Sequence, residues 1–330
     1  MNKTKSAKNT VIAICLFIVI FGALLVTATF YDLEVSKILA KVNVGEYFTT
    51  SVFGAVLESI GSWPVYALLS VAFAIIYSNT KRSSVKPLKI LGSIAANIAS
   101  VVAMAVLVFD TVSYITVHVS ASTGAAFTSV FAKVVCVFIA AAGGELICYA
   151  FSRLDDDKAK ALLKFSFIIL FGVILANVFV NIIKNIMCRP RYRAMQCLNQ
   201  PDENGNIFWN FHRWYQKFRM PEEGDPLYIA MSNGHKVGHD AYRSFPSGHT
   251  CAAGTIYAIL ALPRLLKKYD TPKMRALLCF IAVAVTGIVA VSRIICGAHY
   301  FSDVLIGGTT TFVSMMLAIK IFIKDDFKKV

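Results

Sequence analysis

Near the end of the chain, Ser292-Arg293-Ile294-Ile295-Cys296-Gly297-Ala298-His299-Tyr300-Phe301-Ser302-Asp303 places a guanidinium, an imidazole and a carboxylate at the mouth of an apolar run. Charge at such a position is expensive unless it has a task. His299 and Asp303 are four residues apart, which on a helix puts them on one face, so the carboxylate can hold one ring nitrogen while the other points outward. An imidazole held in that way can act as a nucleophile or a base. Two further sets of residues could serve the same site: Lys184 with Arg191, and Pro246-Ser247-Gly248-His249 at the opening of another apolar run.

The chemistry that these residues suggest together is phosphoryl transfer. A phosphate monoester carries roughly two negative charges, and its transition state spreads charge over equatorial oxygens, so catalysis is largely positioning plus electrostatics. Lys184, Arg191 and Arg293 would supply the positive field, the arginines with forked donors that match phosphate oxygens. Ser247 and Gly248 follow Pro246 at a helix start, where free backbone N–H groups and the helix dipole would face the anion, and Gly248 permits close approach. His249, at the same end, could protonate the leaving oxygen as general acid.

A membrane must position these residues. The chain has 330 residues, 57% of them hydrophobic and only 16% charged, with a mean hydropathy of +0.63, which excludes an ordinary soluble domain. The net charge of +14 does not mark a nucleic-acid binder, because the basic residues fall in short clusters between apolar runs. Eight such runs, near 10–30, 60–77, 88–109, 125–151, 163–187, 250–266, 277–294 and 304–323, read as membrane crossings. A cleaved leader competes for the first, whose apolar length exceeds what a leader needs.

The loops alternate in sign. Lys3, Lys5 and Lys8, then Lys81, Arg82, Lys86 and Lys89, then Arg153, Lys158, Lys160 and Lys164 fall on one side. So do Arg264, Lys267, Lys268, Lys273 and Arg275, and finally Lys324, Lys328 and Lys329. The positive-inside rule makes that side the cytoplasm and places both termini there. The three chemical clusters then meet on the opposite, extracytoplasmic face. A cation cluster of Lys184, Arg189, Arg191 and Arg193 on that face runs against the rule, which favours a functional reading.

Other features take blander readings. The stretch Phe208-Trp209-Asn210-Phe211-His212-Arg213-Trp214-Tyr215 reads as an interfacial anchor, with a cover over the site as the functional alternative. His118, His212, His235 and His239 read as interfacial or hydrogen-bonded, and Lys133 with Glu145 as an ion pair or snorkelling charges. Asp155-Asp156-Asp157 reads as a solvated loop and not a metal site. The 8 cysteines lack a C-x-x-C spacing, and of these Cys188 and Cys197 flank an external segment, where the unpaired state is expected and a disulfide is the alternative.

Lys184 with Arg191, then Pro246-Ser247-Gly248-His249, then Ser292-Arg293 with His299 and Asp303, resembles the three-part signature of the type 2 phosphatidic acid phosphatase (PAP2) superfamily, over roughly the last half of the chain. In the first part the family usually has proline after its arginine, whereas here Pro190 precedes Arg191 and Tyr192 follows it, and Arg189 is the alternative ligand. The resemblance implies an all-α polytopic membrane bundle of about eight helices, with a PAP2/haloperoxidase-like catalytic core over 156–330, an extracytoplasmic loop over 188–246, and N-terminal transmembrane helices over 1–155. It implies an integral phosphatase, without metal or cofactor, that acts on a phosphate ester or pyrophosphate of a membrane lipid, with the plasma membrane as its expected location. His299 would form a phosphohistidine, Asp303 would orient its ring, and His249 would serve as acid and then base. Lys184, Arg191, Ser247, Gly248 and Arg293 would bind phosphate. A phosphotransferase, a phosphatase of soluble phosphates, and a non-catalytic lipid-phosphate binder or transporter are the alternatives.

Overall fold

The structure, a computed structural model, describes residues 3–119, 121–198, 211–232 and 234–323. Phe208, Trp209 and Asn210 of the aromatic stretch, and the lysines at 324, 328 and 329, lie outside the described residues. An apolar run in a bilayer must satisfy its backbone within itself, and this chain does so with helices. They are α1 (Lys3–Leu39), α2 (Val52–Ile60), α3 (Trp63–Lys81), α4 (Ser93–His118), α5 (Ala121–Thr128) and α6 (Val130–Ser152) in the first half. α7 (Asp156–Met187), α8 (Tyr192–Leu198), α9 (Gly248–Gly254), α10 (Leu262–Leu265), α11 (Pro272–Ile295) and α12 (Phe301–Phe322) follow.

Among the described residues, seven segments are long and apolar enough to cross a membrane: Ile14–Leu39, Val52–Lys81, Leu88–His118, Val130–Ser152, Asp156–Leu198, Pro272–Ile295 and Phe301–Phe322. The remaining expected crossing, 250–266, is helical but interrupted, since α9 passes into 3-10 turns over Thr255–Ala261 before α10. The change falls where Thr255 Oγ1 turns back to donate to the Ala252 carbonyl at 2.7 Å. The larger rise of the 3-10 turns lets this segment extend about 30 Å, the thickness of a hydrocarbon core.

Local chemistry sets the helix ends. Asp155 caps α7 by accepting the Lys158 N–H at 2.8 Å, with Asp156 and Asp157 in the first turn, so the acidic run opens a helix instead of forming a loop. Asp156 also accepts Arg82 Nε at 2.8 Å, which ties the end of α3 to the start of α7. Thr271 caps α11 ahead of Pro272, and Cys188, in the left-handed region at φ 47°, stops α7. The segment between α8 and α9 adds a two-residue antiparallel hairpin, β1 (Met231–Ser232) with β2 (His235–Lys236).

α3, α7, α12 and the 3-10 turns meet in the centre of the bundle, where Ile75, Ile168, Ile169 and Met315 are fully buried. Small residues allow the closest approaches. A Cβ on Gly307 of α12 would stand 2.5 Å from the Ser247 carbonyl oxygen, at the very start of α9. Gly307→Ala is therefore expected to cost about 1–3 kcal/mol in stability, read as a lower unfolding temperature in detergent. An unchanged temperature would show that α9 is free to shift. Lys133 and Glu145 are both exposed on α6, about 18 Å apart along its axis, too far to pair. Cys188 and Cys197 are free thiols.

Candidate active site

α11 ends at Ile295 and the chain must turn before α12 begins. Gly297, at φ +61°, supplies the left-handed residue, and a Cβ there would lie 3.0 Å from Val42 Cγ2 and 3.3 Å from Arg193 Cβ. α12 then opens with a capping box in which Asp303 accepts the Tyr300 N–H at 2.8 Å. His299 thus precedes the helix, which corrects the expectation that it shares a helical face with Asp303. Its ring is held differently too. His299 Nδ1 lies 2.6 Å from the Ser244 carbonyl and 3.7 Å from Asp303 Oδ2. A carbonyl only accepts, so Nδ1 carries the proton and Nε2 keeps its lone pair. Asp303 Oδ2 faces Nδ1 at ion-pair range and also accepts the Ser244 hydroxyl, so one carboxylate steadies both the ring and the residue whose carbonyl holds it.

Nε2 belongs to a ring that lines a cavity of about 250 Å³, together with Lys184, Arg191, Gly248, His249 and Asp240. Lys184 Nζ donates to the Arg243 carbonyl at 3.0 Å and would stand 3.6 Å from a Cβ on Gly248, so ammonium and glycine share one wall. Arg191 donates from Nε to the Asp240 carbonyl at 2.7 Å and from Nη2 to Asp240 Oδ1 at 2.6 Å. Burial raises the Asp240 pKa, but Arg191, Arg193 and Lys184 outweigh it and hold the carboxyl at about 2. Its side chain nevertheless keeps 52% exposure. His249 Nε2 lies 3.2 Å from the Glu58 carbonyl, which assigns that nitrogen the proton and leaves Nδ1 for other partners.

Two expected phosphate ligands sit off this cavity. Ser247 is fully buried, its N–H donates to the Asp303 carbonyl at 2.9 Å, and its hydroxyl caps α9 by accepting from Thr250. Its N–H is thus committed to the fold, and its hydroxyl serves as an acceptor within α9. Arg293, 1% exposed, lies behind the wall: Nη2 donates to Glu58 Oε1 at 2.9 Å, while Nε and Nη1 are buried without a partner among the described residues. Arg189 is not a free alternative to Arg191. It is fully buried between Asp303 at 2.6 Å and Asp32 at 3.0 Å, stacked 4.0 Å from the Tyr300 ring.

The acids that organise these cations come from the N-terminal helices. Glu58, on α2, takes Arg293 and Arg193 on Oε1 at 2.9 and 3.0 Å and His118 on Oε2 at 3.0 Å. Asp32, on α1, holds Arg189 and the Ser302 N–H at 2.8 Å. Motif spacing does not reveal either residue, although the cost of a lone acid beside apolar runs signals that each needs a partner. The described part of the aromatic stretch closes over the same assembly: the His212 carbonyl accepts Arg189 Nε at 2.7 Å, and Trp214 Nε1 donates to Thr29 of α1 at 2.9 Å. A larger cavity of about 430 Å³ near Phe48 and His118 has no Lys or Arg among its described lining, and the Thr49 and Thr50 hydroxyls beside it donate to the Lys41 carbonyl. The lining Lys184, Arg191, His249 and His299 belong to the smaller one.

Burial, and then the fields of Arg191, Lys184 and Arg293, push the His299 pKa down to about 3 against the pull of Asp303. The folded value lies below the ordinary one of about 6.5, so protonation favours unfolding. The resulting stability is complete above about pH 6.5 and is lost by about 1.4 kcal/mol per unit as pH falls toward 3. A His299→Gln protein should accordingly lose less thermal stability between pH 7 and pH 5 than the parent. Equal losses would contradict a neutral, buried ring.

Fold and site define a class: a helical membrane protein whose cations and histidines converge on one cavity. Within that class, residues 165–326 of the chain match the family model of the PAP2 superfamily. It is similar to Lipid A 1-phosphatase of Rhizobium johnstonii, 40% identical over 70 residues that make up 21% of this chain and 24% of that protein. The protein of the same name from Rhizobium etli is also 40% identical over 70 residues, 21% of this chain and 25% of its own length. Probable diacylglycerol pyrophosphate phosphatase 1 of Schizosaccharomyces pombe is 25% identical over 189 residues, 54% of this chain and 59% of that protein. The chain thus spans about a quarter of the length of the first two relatives and just over half of the third. No solved structure matches it significantly.

Proposed function

We propose that the chain is an integral membrane phosphatase that hydrolyses a phosphate ester or pyrophosphate of a lipid at the extracytoplasmic face, with both termini in the cytoplasm. The observation that carries this reading is the single hydrogen bond from His299 Nδ1 to the Ser244 carbonyl at 2.6 Å, which leaves Nε2 nucleophilic in a cavity walled by Lys184 and Arg191. Nε2 attacks phosphorus, the bond to the leaving oxygen breaks, and His249, which enters this step protonated on both ring nitrogens, gives that oxygen the proton of Nδ1. Water then attacks the phosphohistidine, His249 takes the proton, and the P–N bond breaks to release inorganic phosphate. Lys184 and Arg191 neutralise the equatorial oxygens, and Arg293 adds its positive field from behind the wall. These cations supply the charge that a metal would otherwise bring.

The lipid character of the substrate is supported by the names of the relatives and by a cavity that begins among membrane helices. Phosphate release from a panel of lipid and soluble phosphates, in detergent and with an added alcohol, tests the reading. Release from lipid phosphates, without transfer to the alcohol, is expected. Transfer to the alcohol would make the protein a phosphotransferase, and binding without release would make it a carrier.

A further inference from the structure

The cavity wall extends beyond the charged groups. α7 is apolar through its buried length, yet Asn177, Asn181 and Lys184 recur on one face, at the spacing of successive helical turns, and all three line the cavity. Asn177 Nδ2 donates to the Val173 carbonyl and Asn181 Nδ2 to the Asn177 carbonyl, each at 2.9 Å. That uses one of the two N–H donors of each amide. Asn177 Oδ1 has no partner among the described residues, and Asn181 Oδ1 meets Arg243 Nη2 only at 3.5 Å. Both side chains are exposed at a level where α7 otherwise shows Ile174, Val178 and Ile182 to the outside. Amides facing hydrocarbon are costly unless something bonds to them.

Their depth says what that could be. From the 1.5 Å rise per residue, Asn181 lies about 5 Å and Asn177 about 10 Å from Lys184 along α7, toward the middle of the helix. We infer that Asn177 and Asn181 form a subsite for the hydrogen-bonding linker of the substrate, the ester, amide or hydroxyl groups that join its phosphate to its acyl chains. This inference rests on the lipid phosphatase reading and narrows it. With the phosphate at Lys184, an acylated lipid places carbonyl oxygens about 5–10 Å along the amide stripe, and its chains run on beside Ile174 and Val178. An isoprenoid pyrophosphate has only hydrocarbon at that depth and leaves both amides unpaired, which makes it the poorer substrate.

The test is the ratio of kcat/KM for phosphatidic acid to that for farnesyl diphosphate, measured with the full chain in mixed micelles. The parent is expected to favour phosphatidic acid, and Asn177→Leu/Asn181→Leu is expected to lower the ratio about tenfold, the effect of losing one or two hydrogen bonds. Asn177→Gln/Asn181→Gln, which keeps both amides, should recover part of it. An unchanged ratio in the leucine variant, whether both rates fall together or neither does, overturns the subsite while leaving the phosphatase reading intact. A parent protein that releases phosphate from neither lipid overturns both.

Discussion

Replacing His299 by alanine is expected to reduce phosphate release by on the order of 10⁴-fold or more, with little loss of substrate binding. The reason is geometric. Lys184, Arg191 and Gly248 remain on the cavity wall without His299, so the phosphate still finds its positive field, but no other imidazole presents an unprotonated nitrogen held by the same turn. His249 cannot substitute, because it hangs from the Glu58 carbonyl on a different element. A His299→Ala protein that kept a tenth of the parent kcat would remove the covalent step.

The second large effect is expected at Glu58, which none of the three motifs contains. Its one carboxylate neutralises Arg193 and Arg293 and anchors His118, and its main-chain carbonyl orients His249. Glu58→Gln keeps the shape and removes the charge, leaving the buried Arg293 guanidinium without its counter-ion and Arg193 with Asp240 at 3.7 Å, a loss of the kind that costs about 3–5 kcal/mol. We expect kcat to fall about 10²-fold as Arg293 loses its fixed orientation. Inhibition by inorganic phosphate should become stronger, because the anion then supplies the missing negative charge. The opposite changes in kcat and phosphate affinity separate positioning from simple unfolding, which would weaken both. Unchanged kinetics would mean that Arg293 is placed by its helix alone.

The same residue shows where sequence reading reaches its limit. The clusters at Lys184, at 246–249 and at 292–303 are legible because each is local, and alternation of charged loops predicts that they meet on one face. Lys184, Arg191, Gly248, His249 and His299 do line one cavity. Glu58, Asp32, Asp240 and Ser244 are single residues outside the three clusters, and only the packed structure reveals that the three acids hold Arg293, Arg189 and Arg191 and that Ser244 meets His299 and Asp303. A four-residue spacing suggests a helical pair for His299 and Asp303, but Gly297 and the Tyr300 capping box start the helix later, and Ser244 meets both. Seven of the eight expected runs fall on segments long and apolar enough to cross a membrane. What hydropathy cannot convey is that the run after His249 changes from α to 3-10 geometry within its length.

Covalent catalysis by His299 is the central claim, and trapping the intermediate tests it most directly. Brief incubation with a lipid phosphate labelled on phosphorus, followed by alkaline quenching and peptide mapping, should find base-stable, acid-labile label on the peptide carrying His299. The label should increase in a His249→Ala protein, where the water step lacks its base. Label on another residue, or turnover with no label in either protein, would contradict it.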